Sequence, residues 1–131
     1  MGTASQASTL ADVIGRYRFA YLMTTNAQGA PHSVMVSAVL QDDELVVSGF
    51  GRRTRENAAA RPAVGVVWPP KAESEHSLIV DGSATIVGDS LRIAPTRAVL
   101  HRSAPRDPPD PSVSCGSDCV ELGFGTPRRT P

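Results

Sequence analysis

Lysine is almost missing from this chain of 131 residues: of the 13 basic side chains, Lys71 alone is a lysine. A covalent mechanism through a lysine imine therefore has one candidate, and its PPK context reads as a loop. Net charge is missing too, since Lys+Arg and Asp+Glu both number 13. No global field draws the chain to nucleic acid or to a membrane surface, so any anion site must be local. No apolar run reaches the roughly 18 residues of a membrane-spanning helix. The opening MGTASQASTLADVIG lacks the basic-then-apolar order of a signal peptide. These absences lead us to expect a cytoplasmic protein with no nucleic-acid or membrane partner. Cysteine occurs twice, as CGSDC at 115–119. A CxxxC pair can bind metal or act as a redox dithiol, but a structural zinc site needs four ligands and no second pair exists. Two reduced thiols are the plainer reading of Cys115 and Cys119, and no metal is expected. The HExxH motif, a nucleophile–base pair and paired carboxylates at catalytic spacing are all missing.

What is present is a series of short β-like segments. The length fits one domain able to bury a core. Residues 1–8 read as a flexible lead-in and TLADVIGR (9–16) as a short helix, with Thr9 as N-cap and Leu10, Val13 and Ile14 on one face. YRFAYLMTT (17–25) is a strand by its β-forming content, and NAQG (26–29) a turn in which Gly29 is free to take positive φ. HSVMVSAVL (32–40) alternates, with Val34, Val36, Ala38 and Leu40 on one face. After the turn QDD (41–43) come ELVVSGF (44–50), a two-turn helix stopped at Pro62, and AVGVVW (63–68). PPKAESEH (69–76) is a loop; SLIVDGSATIVG (77–88), LRIA (91–94) and RAVLHR (97–102) finish the sheet. About six strands at short, even spacing point to a mainly β fold, a six-stranded antiparallel split β-barrel with short helices, over residues 9–102. Residues 103–131 hold six of the eleven prolines and little apolar periodicity, so a mostly irregular tail is expected there.

Positive charge is concentrated at one joint. GRRTRENAAARP (51–62) carries four arginines against one glutamate, at the start of an alanine-rich helix. A helix starting near Arg55 would have Thr54 as N-cap. Its outward N–H groups and positive dipole end, ringed by Arg52, Arg53 and Arg55, have the makings of a phosphate site. A solvated basic patch at a strand end is the plainer alternative. Of the histidines, His32 opens a strand and is a candidate contact; His76 and His101 read as ordinary solvated or satisfied residues. Trp68 reads as core or interface packing, and Asp42, Asp43 and Glu44 as a solubilising hairpin tip.

From about Tyr17 to Arg102 the chain resembles the pyridoxamine 5′-phosphate oxidase-like family, the flavin-binding split β-barrels. The resemblance rests on AYLMTTNAQGAPHSVMV, RRTRENAAARP, a strand ending in tryptophan, and LIVDGSA. It is also similar to the shorter actinobacterial branch, some of whose members use the deazaflavin F420 in place of FMN. The resemblance implies a homodimer with its cofactor, FMN or alternatively F420, in a groove between subunits. The oxidase strand that wraps the flavin falls on His32 to Ser37. Its basic residues at both ends are missing here, which leaves the backbone of Val34, Met35 and Val36 to border the ring. Ser48 keeps the hydroxyl of an aromatic–threonine pair. The phosphate-binding arginine–lysine pair falls on Arg53 and Thr54, with Arg52 and Arg55 beside them, and a flavin-approaching glutamine falls on Ser77. These departures argue against vitamin B6 oxidation. The implied activity is hydride transfer to a small organic substrate by a flavin or deazaflavin, chemistry the cofactor performs while the protein orients it. A non-catalytic cofactor carrier, or a barrel that has lost its cofactor, stays open beside it.

Overall fold

The structure is a computed structural model, and it describes residues 9–103 and 117–124. The chain begins with α1 (Leu10–Ile14), entered through a reciprocal cap. The Thr9 hydroxyl accepts from the Asp12 backbone N–H at 3.3 Å, and the Asp12 carboxylate accepts from the Thr9 N–H at 2.8 Å. The Thr9 N–H, with the Thr9 hydroxyl beside it, holds the Asp12 carboxyl below its ordinary range. Leu10 and Val13 are buried, as the helical spacing predicts.

Six strands then close a barrel. They are β1 (Ala20–Thr25), β2 (Pro31–Gln41), β3 (Glu44–Ser48), β4 (Ala63–Trp68), β5 (Ser77–Val87) and β6 (Ser90–Ser103). Their order is β3-β2-β1-β4-β5-β6, each neighbouring pair antiparallel, and β3 also pairs with β6 to complete the circuit. The interior is filled by alternate residues, including Leu22, Leu45, Val47, Val66, Leu78, Val80, Leu91 and Ile93, all at 0% exposure. Period-two patterning is what lets one sequence serve a dry inside and a wet outside. On β2, Val34, Val36, Ala38 and Leu40 face inward as expected, while Met35 and Val39 point out.

The turns follow their residue chemistry. Asn26 Oδ1 accepts from the N–H groups of Gln28 and Ala30 at 2.9 Å each, and Gly29 takes φ 84°. The β2–β3 hairpin puts Asp42 and Asp43 at φ 52° and 67°, a left-handed pair suited to a two-residue hairpin. The third strand stops at Ser48, two residues short of the expected end, because Gly49 turns away at φ 90°. The first strand starts at Ala20, three residues late, and leaves Tyr17 outside it.

Two other expectations are corrected. The segments 91–94 and 97–102 are one strand, β6, bent at a bulge where Asp81 pairs with Arg97 and Gly82 with Pro95, so that Thr96 is the extra residue. Within the segment expected to be irregular, Ser117–Glu121 forms β7, antiparallel to β6. Beyond it, Leu122 is buried, its N–H donating to the Ala98 carbonyl, and the Gly123 carbonyl accepts from the Leu10 N–H at 2.7 Å. The C-terminal strand and α1 thus fasten each other to the barrel wall. Cys115 and the other residues of 104–116 lie outside the described residues, as does the lead-in 1–8. Among the described residues no helix is long and apolar enough to cross a membrane.

Gly82 is the tightest backbone contact at the bulge: a Cβ there would sit 2.5 Å from the Ala94 carbonyl oxygen and 2.6 Å from Ile93 Cγ2. The partner is backbone and cannot swing aside. Gly82→Ala is expected to cost roughly 2–3 kcal/mol, a fall in Tm of about 5–10 °C by calorimetry, whereas Gly88→Asn at the exposed β5–β6 turn is expected to change stability by less than about 1 kcal/mol.

Candidate functional site

The arginine joint becomes the start of α2 (Arg52–Ala60). The expected N-cap is corrected: Gly51 caps the helix, and Thr54 lies inside its first turn. The helix starts early because Gly49 releases the chain from β3 and Gly51 is already extended, with φ −104°. Its buried face is Thr54, Asn57 and Ala58, the i, i+3, i+4 set, laid against β1 and β5. Asn57 Nδ2 donates to Thr24 Oγ1 at 3.0 Å, a buried bond that ties the helix to β1. At the other end Arg61 donates to the carbonyls of Asn26 and Ala27 at 2.8 and 2.7 Å, and Pro62 ends the helix.

The N-terminal end of α2 is electrostatically odd. Gly51 offers no side chain, so the first N–H groups have no side-chain cap. The first turn holds no acid, yet Arg52 and Arg53 stand there, exposed. Cations at the positive end of a helix oppose its dipole. Glu56 answers only in part: its carboxylate is 3.8 Å from Arg52, on the open surface. Thr54 adds a further unmet group, a hydroxyl buried at 1% exposure with no hydrogen-bond partner. Uncapped N–H groups, two exposed guanidiniums and no acid are the donor set that an anion, phosphate above all, would complete.

Some of the other expected site residues gather here and some do not. Ser48 pairs with Ser37, next to Val36, so the middle of β2, the end of β3 and the start of α2 form one neighbourhood. Val36 is buried and Val34 half-buried inside the barrel, while Met35 faces out at 55% exposure. Arg55 is half-buried on α2. His32 lies five residues from Ser37 along β2, opposite Thr24 and so next to the Thr24–Asn57 bond that ties α2 to β1. Ser77 is further still. It pairs with His101, whereas Val47 at the arginine joint pairs with Leu91 on the same strand. The stretch from Leu91 to His101 is roughly 30 Å of strand.

At Ser77's end of the barrel lies a cavity of about 860 Å³ that the sequence did not disclose. Residues 16–19, the loop 69–76 and the end of β6 form it. The Tyr17 hydroxyl donates to the His76 carbonyl at 2.9 Å, and burial pushes that phenol above its ordinary range. Trp68, at the end of β4, is buried. Among the described residues no group of three or more His, Cys, Asp or Glu is placed to hold a metal.

The closed six-stranded antiparallel barrel with short helices defines a fold class, the split β-barrels. A protein from Listeria innocua assigned as a pyridoxamine 5′-phosphate oxidase superposes with a TM-score of 0.59 at 14% identity, over 70% of this chain and 94% of that one. An FAD-binding protein from Mesorhizobium loti gives 0.56 at 18% identity, over 67% and 86%. A structure named F420 reductase gives 0.53 at 15%, over 75% and 96%. No protein-family model matches the chain. In sequence, uncharacterized proteins of Mycobacterium bovis and Mycobacterium tuberculosis are each 38% identical over 127 residues, covering 85% of this chain and 89% of theirs. The chain belongs to one family with these mycobacterial proteins, on the pyridoxamine 5′-phosphate oxidase-like split-barrel fold.

The two buried polar groups of α2 make opposite predictions. Thr54→Val removes a hydroxyl without a partner and is expected to leave stability unchanged or raise it by about 1 kcal/mol, whereas Asn57→Ala orphans Thr24 and is expected to cost about 2 kcal/mol. Chemical denaturation of both variants checks the pair.

Proposed function

We propose that the protein is an oxidoreductase that uses a flavin-type cofactor, FMN or the deazaflavin F420, to reduce a small organic substrate by hydride transfer. One observation carries this reading: Arg52 and Arg53 stand at an uncapped helix N-terminus with no acid in the first turn, which is unfavourable unless an anion sits there. The fold supports the choice of anion, since its structural neighbours include an FAD-binding protein and an F420 reductase. FMN and F420 both carry a phosphate on a ribityl-type chain beside a flat ring.

In this reading the α2 N–H groups and the Arg52 and Arg53 guanidiniums bind the cofactor phosphate. The Thr54 hydroxyl and the Arg55 side chain complete that end, and Ser48 offers a further hydroxyl. The strand carrying Val34, Met35 and Val36 borders the ring. The bound cofactor supplies the hydride chemistry itself, so the chain's part is to anchor, orient and exclude water. His32, opposite Thr24, lies along β2 toward the later part of α2, and Ser77, remote from the joint within one chain, would serve only where a second copy brings it near.

The proposed assembly is a homodimer, and the proposed compartment the cytoplasm. Support for the dimer comes from a registered outward row: Met35 opposite Tyr21, Tyr21 opposite Val67, Val67 opposite Ile79. Met35 is 55% exposed and Tyr21 38%, while Phe19 extends the row by an edge-to-face contact, its ring centroid 5.7 Å from Tyr21's. An apolar stripe across four strands on the outside of a barrel is what a second copy would cover. A non-catalytic cofactor carrier is the second reading; turnover of reduced cofactor separates it from the first.

The Arg52→Ala/Arg53→Ala double variant is expected to weaken FMN or F420 binding by more than tenfold in a fluorescence titration, since charge-assisted hydrogen bonds are worth about 1.5–3 kcal/mol each; unchanged affinity would place the phosphate elsewhere. Tyr21→Asp/Met35→Asp is expected to convert a dimer to a monomer in sedimentation equilibrium, and a wild-type monomer that binds cofactor tightly would sink the shared-groove assembly.

A further inference from the structure

The cavity at the Tyr17 end of the barrel has a composition out of keeping with the chain. Overall the protein is neutral, yet Arg16, Arg18, Lys71 and Arg102 line this cavity against one carboxylate, Glu75. None of the described ion pairs involves Arg16, Arg18 or Lys71. The single lysine of the sequence is thus one of the cations gathered here. Between the cations the walls are apolar and stiff: Phe19, Leu100 and the Pro69–Pro70 pair, whose rings fix φ. About 860 Å³ is the size of a site for a small organic molecule.

The walls are held in place before any ligand arrives. Tyr17 fastens the loop by donating to the His76 carbonyl at 2.9 Å, and Arg102 Nη1 donates to the Ser74 carbonyl at 3.1 Å. Both bonds run from the barrel end to the loop 69–76, so the ordering cost is already met in the folded chain. The cavity is also remote from the arginine joint: it lies by Leu100 and Arg102, while the joint lies by Leu91 on the same strand.

We infer that this cavity is a second ligand site, specific for a small organic anion with a flat apolar body, an aromatic carboxylate being the form the observed groups fit best. The guanidiniums of Arg16 and Arg18 and the Lys71 ammonium take the acid; Phe19 and the two prolines sandwich the ring. A guanidinium fork matches a carboxylate in a plane, and a ring lying on proline and phenylalanine faces keeps that plane at the cavity wall. The inference goes beyond the proposed cofactor site, and it rests on the cavity staying open beside the proposed dimer face, with which it shares Phe19.

The test uses the full chain without added cofactor and 2-naphthoate as probe, titrated by calorimetry beside the neutral 2-naphthamide and beside inorganic phosphate. Naphthoate is expected to bind at least tenfold more tightly than the amide and than phosphate. Arg18→Gln/Lys71→Gln, both exposed side chains, is expected to weaken naphthoate at least tenfold with an unchanged melting temperature, while Arg52→Ala/Arg53→Ala leaves it unaltered. Equal binding of acid and amide, or full affinity in the Arg18/Lys71 variant, overturns the proposal. Preference for inorganic phosphate over naphthoate overturns the flat-body part of it. Loss of naphthoate binding in the Arg52/Arg53 variant would show that the probe occupies the arginine joint instead.

Discussion

The barrel exists because β3 has two partners. On one edge it pairs with β2 through Ser37–Ser48 to Gln41–Glu44, and on the other with β6 through Leu45–Ile93 to Val47–Leu91. Without the second pairing the sheet would be an open ribbon with exposed edges. With it, Leu45, Val47, Leu91 and Ile93 are removed from water together, all at 0% exposure. The rim of that seam is marked by Arg92 donating to Glu44 at 3.0 Å, part-buried. The arginine joint depends on this closure, because the chain leaves the seam at Ser48 and enters α2 at Arg52, four residues later.

That short exit also explains why α2 is charged as it is. Gly49 and Gly51 turn the chain so that Thr54, Asn57 and Ala58 face the barrel. The positions left over at the helix start are Arg52 and Arg53. A helix stabilised for its own sake would carry acids there; this one carries cations and an orphaned hydroxyl. Stability has been given up at one place, which is the pattern of a site that a ligand completes. The two ends of the barrel then differ in kind. One offers backbone N–H groups and guanidiniums at a helix end; the other offers a cavity lined by aliphatic, aromatic and cationic side chains.

Much of this was legible in the residues. Alternation in HSVMVSAVL and SLIVDGSATIVG told inside from outside, and the N-cap at Thr9, the Asn26–Gly29 turn and the stop at Pro62 are local chemistry. The resemblance to the split barrels rested on the order of such segments, and the structural superpositions agree with it. The cap of α2 was misread because Thr54 is a good capping residue and Gly51 an unremarkable one. Burial of Thr54 against the barrel decided the matter, and burial is not local. The segments 91–94 and 97–102 join into one strand because a bulge opposite Asp81 and Gly82 absorbs the irregularity between them.

What the sequence alone determined is therefore short-range: which segments extend, where they turn, which face of each is apolar, and that positive charge collects at 52–55. Those follow from backbone sterics and from a period of two or 3.6 residues, which a linear string records. Tertiary structure decided everything that needed two distant segments at once. It put β3 against β6, fastened β7 and Leu122 to the wall beside α1, and parted Ser77 from Arg53 by the length of β6. It also drew Arg18, Lys71 and Arg102, which look unrelated along the chain, into the lining of one cavity. Closure of a barrel fixes which strand ends meet, and that geometry has no trace in any single stretch of sequence.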